Sequence, residues 1–574
     1  MSDLSYKYYL NGVPIPPPKE WQDVTIVANF DNNIQPQISI TEMSFVNEAT
    51  IEIDNWINSV GILEGMPLEI VVEDTTNSYV IYLYLDFREG FTIVHDTEYK
   101  CRVKQIDELD FLDEKVKAVS FGYLDSLNRF DKSDYTDVNV VVRKKFDASE
   151  TLMASLILAY LSKELIEQRQ KLKEDVIYVY KAIFSPPASK PSDIYFQIAM
   201  ALLNIAYRAA MLVTMYKLLK TVLENLAPVP TKYKGITLRK GLEKICEHFG
   251  YTLDCNITEI DKIVYLPSKT NDKIRRNRKL SGIPSANDYG YNFSEFMELV
   301  LTLFYAKPKL VDKTLVIRAE KDQYWQGQSG YVMHDRLQET YSFNLDQLIA
   351  NRIISFTYDF SDEYTIPAEK ENNRGDYSLG TNYEVITNIE AMYNDKLKLL
   401  RGLEDIRIPV ALGHRRGKLS VFESILIGAV AVFDEVIKIF GGKPLGNSIK
   451  ENRGSLVISS PTFNVPKLIY WDNNQIPEDH RNYLSARAMW QNYHYFKSFR
   501  DNKLSQRKIY KDQIIHFGFS DFLKTINNSY FTTADGKSAK FTSLEWDIDS
   551  DRAKADFEVE HEYITRITET HIES

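Results

Sequence analysis

Cysteine is scarce in this 574-residue chain: Cys101, Cys246 and Cys255 stand far apart and none belongs to a CxxC pair. Three isolated thiols supply neither a disulfide framework nor a cysteine metal cage. Glycine is sparse, at 24 residues, and there is no low-complexity tract or short-period tandem repeat, so solenoids and unstructured linker proteins are excluded. Positive charge is also short: the net charge is −11 and the pI about 5.5, which argues against a free nucleic-acid binder. The one basic run, Lys273-Ile-Arg275-Arg276-Asn-Arg278-Lys279, reads as a solvated loop, with a weak phosphate or subunit contact as the alternative. The first residues, Met-Ser-Asp-Leu-Ser-Tyr, have neither a basic n-region nor an apolar h-region, so no secretory leader and folding in a cytoplasm are expected.

The motifs that announce chemistry are missing as well. No HExxH occurs, the nine histidines are scattered, and His561-Glu-Tyr-Ile-Thr lacks its second histidine. His494 lies between Tyr493 and Tyr495 and reads as a core or interface histidine. No phosphate-binding G-x-x-x-x-G-K-[ST] loop is present, no G-x-G-x-x-G opens a helix, and no G-x-S-x-G elbow exists. Asp547-Ile-Asp-Ser-Asp551 with Glu558 at the twelfth position imitates a calcium loop. However, Arg552 stands where that loop needs glycine, and strands rather than helices flank it. An acidic hairpin turn is the plainer reading, with a loop cation left open. No residue is assigned as catalytic, cofactor-binding or metal-ligating, no cofactor is expected, and a scaffold is preferred to an enzyme.

What the chain does have is aromatic side chains, 36 Tyr and 29 Phe, suited to half-buried strands and interfaces. Residues 1–146 read as a β domain. Tyr8-Tyr-Leu-Asn-Gly-Val-Pro-Ile15 predicts two short strands about an Asn-Gly turn, and Tyr99-Lys-Cys-Arg-Val-Lys-Gln-Ile106 alternates with one wet face. Further strands are predicted at 37–45, 68–73 and 79–87. Helices are predicted over 147–230, starting at the capping-box-like Asp147-Ala-Ser-Glu150, passing toward Glu174, and broken at Ser185-Pro-Pro-Ala-Ser-Lys-Pro-Ser192. A small α+β domain follows at 231–335, with an amphipathic helix ended by Gly250. A second β domain spans 336–470, with a helical insertion near 418–442. A C-terminal β-rich domain, 471–574, contains the hairpin Lys540–Ile548 and Ala553–Val559. The fold class is therefore α+β, β-rich and multidomain, with inserted helical blocks.

The segment Ile194–Leu219 is long and apolar enough to cross a bilayer. Arg208 near its centre would cost about 2.5–3.5 kcal/mol at mid-bilayer, so no resident membrane span is expected. Ile198, Leu202, Ile205, Ala209, Leu212, Tyr216 and Leu219 follow spacings of four and three, a heptad-like seam. Ile198, Leu202, Ile205, Arg208, Leu212 and Leu219 are the candidate helix-packing or oligomer contacts. Their partner is expected to be the helix beginning at Asp147, the block Ser420–Phe440, or the same helix of another subunit.

Tyr8-Tyr-Leu-Asn-Gly-Val-Pro-Ile15 with Pro16-Pro-Pro-Lys-Glu-Trp21, then Pro67-Leu-Glu-Ile70, Tyr84-Leu-Asp86 and Cys101-Arg-Val-Lys-Gln-Ile106, resembles the start of tail hub proteins of Bacteroidetes-infecting tailed phages. Tyr510-Lys-Asp-Gln-Ile-Ile-His-Phe-Gly-Phe-Ser-Asp-Phe522, Asn527-Asn-Ser-Tyr530, Asp535-Gly536 and Ala553-Lys-Ala-Asp556 are similar to that family's closing segment. The patterns are loose and aromatic, covering about the first 120 and last 100 residues; the helical blocks match worst. The resemblance implies a virion structural protein at the tail tip or baseplate: a homotrimer with tube-like β-barrel or sandwich domains, joining tail-tube rings to tip, fibre or receptor-binding proteins, with no specific nucleic acid and no active site. The competing expectations are a tail-associated cell-wall or glycan hydrolase and a membrane-active protein that inserts its helices during infection.

Overall fold

The computed structural model describes residues 4–19, 21, 24–30, 37–39, 41–88, 90–95, 97–105, 119–142, 148–184, 191–226, 230–267, 293–311, 313–343, 349, 351–366, 380–390, 403–416, 454–460, 463–497, 507–526, 528–548, 550–561 and 566–573. The fold is mixed and strand-rich, with several curled or near-closed sheets, as the β-rich α+β reading anticipated. The basic run at 273–279 and the second helical block, 418–442, lie outside the described residues.

Local sequence explains most elements. Asn11 and Gly12 both take positive φ, 47° and 78°, the geometry a two-residue hairpin turn demands between Ser5–Leu10 and Val13–Ile15. In Met66–Glu73 every second residue is buried, so Met66, Leu68, Ile70 and Val72 form the inner face. The helix Leu238–Phe249 is capped by the Thr237 side chain, which accepts from the Lys240 N–H at 3.2 Å, and ends on Gly250 at φ 78°.

The first sheet is antiparallel and runs in the order 13–15, 5–10, 66–73, 78–86, 98–105, 42–46, with 92–94 also on 98–105. The sequence placed one strand at 37–45. Instead, Gln37–Ile38 and Glu42–Val46 pair in different sheets. Gln37–Ile38 joins Thr25–Asn29, which itself pairs antiparallel with Ser543–Asp547 of the last large sheet. One hydrophobic core consequently unites Leu10, Phe45, Leu68 and Val103 with Tyr331, Phe541, Trp546 and Phe557.

The middle of the chain forms a closed ring of six strands. In order they are 467–470, 263–266, 231–237, 136–142, 456–458 and the bent strand 411–415. That last strand closes the ring: Ala411–Leu412 pairs parallel with Lys467–Leu468, and His414–Arg415 pairs antiparallel with Leu456–Val457. The bend is at Gly413. A Cβ there would lie 2.5 Å from Ile469 Cγ2 and 3.0 Å from the Leu468 carbonyl oxygen. Val138, Val140, Tyr233, Val264, Leu456 and Ile469 fill the interior. Beside the barrel lie a three-stranded sheet (252–255, 314–319, 306–311), the helices 238–249 and 293–304, and a four-stranded sheet in the order 403–408, 351–356, 382–390, 566–573.

Candidate functional site

Barrel strands Thr136–Val142 and Thr231–Thr237 are antiparallel neighbours, with Val140 opposite Thr231. Such a pair needs only a tight turn. Here it carries two long helices, Ala148–Phe184 and Pro191–Leu226, of 37 and 36 residues. At 1.5 Å per residue each is about 55 Å long. The two helices pack chiefly on each other. The first runs ten residues beyond Glu174, the point to which the sequence carried it. Its outward side chains carry its charges, while Gln168 and Val179 stay buried inside.

The inner seam is partly polar. Arg208 Nε donates to Asp175 Oδ2 at 2.6 Å and Nη1 to Gln168 Oε1 at 3.2 Å, while Gln168 Nε2 donates to Glu164 Oε1 at 3.0 Å. Nearer the tip, Tyr178 Oη donates to Gln197 Oε1 at 2.8 Å. These contacts fix the register: Gln168 faces Arg208, and Tyr178 faces Gln197. Ile198, Ala201, Ile205, Arg208 and Leu212 turn inward, at spacings of three and four. Of the residues singled out from sequence, Ile198, Ile205 and Arg208 are half-buried and Leu212 is buried. Leu202 is 52% exposed and points outward, and the Leu219 side chain lies outside the described residues. Ala201, too small to register as a seam residue, takes the inward place that the heptad reading gave to Leu202 and lets the helices approach closely. Arg208 can hold a seam position because Asp175 and Gln168 satisfy it; those partners were the signal the sequence contained.

Charge is segregated between the outer faces. The first helix exposes Lys163, Glu167, Lys171, Lys173, Glu174 and Lys181. The second, from Tyr195 to Met215, has no charged residue except the inward Arg208. On that helix Tyr195 is 73%, Phe196 68%, Leu203 65% and Tyr207 64% exposed, joined by Leu202 and Val213. Six such side chains amount to on the order of 800 Å² of open apolar surface. That exceeds the few hundred Å² a monomer normally leaves uncovered. The hairpin thus pairs an uncharged apolar helix with one that carries the charges among exposed apolar side chains of its own, Leu156, Tyr160, Tyr180 and Phe184.

Other sequence features resolve differently. The Asp547 carboxylate is engaged by the Thr25 hydroxyl at 2.6 Å, and Glu558 is buried within the strand Arg552–Val559, so Glu558 does not face the 547–551 turn. Asp549 lies outside the described residues. Among the described residues no group of three or more His, Cys, Asp or Glu is placed to hold a metal ion. His494 is buried with its ring 5.6 Å from that of Tyr305. The three cysteines are buried and free, and burial pushes the Cys101 and Cys246 thiols up to about 12. A buried cluster that sequence gave no sign of joins Lys467 to Asp359 and Asp362, because 108 residues separate Lys467 from Asp359. No protein-family model matches the chain, and no curated protein matches it either.

Proposed function

We propose that this protein is a structural hub of a phage tail, an oligomeric adaptor between tail tube and tail tip whose subunits associate through the projecting hairpin. The observation that carries the reading is the uncharged, largely exposed outer face of Tyr195–Met215. In water such a face is stable only when covered. Copies of the same hairpin can cover it: with three chains, the apolar helices meet at the axis and the charged helices face solvent. The end segments that resemble phage tail hubs support the tail assignment and the trimer, and with them a place in the virion among tube-ring and tip proteins.

Lipid is the competing cover, and the register of the hairpin disfavours it. Sinking Tyr195–Met215 into a bilayer drags in the paired helix, with Lys171, Lys173 and Glu174 exposed along it. Each would cost about 2.5–3.5 kcal/mol at the bilayer centre. The test is mass photometry of the purified full chain, with vesicle flotation alongside. A three-chain species is expected, reduced to monomer by Leu203→Asp with Tyr207→Asp at unchanged circular dichroism. A wild-type monomer, or flotation with phosphatidylcholine vesicles, would overturn the reading.

A further inference from the structure

Lys467 opens a barrel strand, Lys467–Tyr470, and is wholly buried. Its ammonium lies 2.9 Å from Asp362 Oδ2 and 3.4 Å from Asp359 Oδ2, and both aspartates are 1% exposed. The Phe463 ring shields the same nitrogen, with its centroid 5.1 Å away. The two carboxylates are held differently. Asp362 Oδ1 accepts the backbone N–H of Ser459 at 2.9 Å and of Tyr364 at 3.2 Å, which leaves Oδ2 toward the lysine. Asp359 Oδ2 is cradled by the N–H groups of Asn464, at 3.1 Å, and Val465, at 3.4 Å. Its Oδ1 takes the Ser361 N–H and hydroxyl, at 3.0 and 2.5 Å.

We propose that this cluster is a self-modification site at which Lys467 and Asp362 condense to an intramolecular amide. The arrangement supplies each part such a condensation needs. Lys467 Nζ is the nucleophile and Asp362 Cγ the electrophile, held together in a water-poor pocket where proximity replaces activation. The two N–H groups on Asp362 Oδ1 sit where the tetrahedral oxyanion forms. Asp359 Oδ2, in reach of Nζ, carries the protons.

The atoms balance without any co-reactant. Asp359 takes one proton from the ammonium and passes it to Asp362 Oδ2. The freed lone pair attacks Cγ, and the N–C bond forms. A second proton follows the same route, the C–Oδ2 bond breaks, and Oδ2 leaves as water. An ammonium and a carboxylate become an amide plus water, with one hydrogen left on nitrogen, Oδ1 kept as the carbonyl and no change of oxidation state. Two charges that are costly to bury disappear. Asp359 keeps the hydrogen bonds from the Ser361, Asn464 and Val465 N–H groups. The product staples the turn after strand Asn351–Phe356 to the barrel where Ala411–Leu412 closes it.

Mass spectrometry of the denatured full-length protein tests the proposal. The wild-type chain is expected to be one water lighter than its sequence. Its tryptic digest should lack cleavage after Lys467 and contain a branched peptide joining residues 353–370 to 454–481. Asp359→Asn and Lys467→Arg should both show the full mass and no branched peptide. A wild-type chain at full mass, or one lighter by water yet cleaved after Lys467, would overturn the proposal, and needs no variant to fold. A branched peptide persisting in Asp359→Asn would remove Asp359 from the proton path.

Discussion

His480 and His494 show how single residues in this fold tie stability to pH. Both are buried, and burial, first among the causes, pushes each down to about 4 from an ordinary value near 6.5. A histidine depressed in the folded state is held neutral there, while the unfolded chain protonates it. Its contribution is therefore complete above about pH 6.5 and is lost as pH falls from there toward 4. The loss is on the order of 2 kcal/mol per histidine by pH 5. Asp86, held well below the usual carboxylate range by Arg88 and then Lys104, acts in the same direction at still lower pH. Urea unfolding at pH 7.5, 6 and 5 should show stability declining between 6.5 and 5, and His494→Gln should flatten that slope. A stability independent of pH over this range would contradict the burial of both rings. His494 was readable from its aromatic neighbours in sequence. The Lys467 cluster was not, because its members come from segments that only the barrel brings together.

At the scale of elements, sequence revealed what depends on neighbours along the chain. The Asn11-Gly12 turn, the Gly250 helix stop and the alternating strands at 66–73 and 98–105 are set by backbone propensity and one-sided burial. The split of 37–45 between two sheets was not legible, since pairing partners decide it. Nor was closure of the barrel by a five-residue strand bent at Gly413, too short to carry a periodic signal. The hairpin lies between these cases: its helices were visible, and its inward register depended on Asp175 and Gln168 of the opposite helix. Because Val140 and Thr231 are already paired at its base, the barrel does not need it. Replacing residues 143–229 with a two-residue Asn-Gly turn should preserve strand content and the thermal midpoint within a few degrees, while the oligomer is lost. Circular dichroism melts and light scattering of the excised protein measure both. Collapse of the β signal would instead make the hairpin part of the folding core.

Across the whole molecule, order in sequence and order in space diverge. Dividing the chain at 146, 230, 335 and 470 groups residues by succession, whereas the cores group them by contact. The strand Thr25–Asn29, with Gln37–Ile38 on its edge, joins a sheet whose remaining strands come from 328–343 and 508–559, and the Thr25 hydroxyl holds Asp547. Alternating burial says that such a strand has one inner face; it does not say against which partner, 522 residues away for Thr25 and Asp547. The shared core has a consequence for cooperativity. Trp546 is buried, stacks on Phe522 with ring centroids 5.2 Å apart, and pairs in register with Ile26. Truncating a buried tryptophan to alanine costs about 3–5 kcal/mol. If both ends of the chain rest on one core, Trp546→Ala loosens the N-terminal strands as much as its own sheet. Hydrogen exchange followed by mass spectrometry should then show faster exchange in residues 25–29 and 66–73 together with 538–559. The barrel strands 136–142 and 231–237, whose interior is a separate cluster, should keep their wild-type rates. Faster exchange confined to residues after 507 would show that the two ends fold independently.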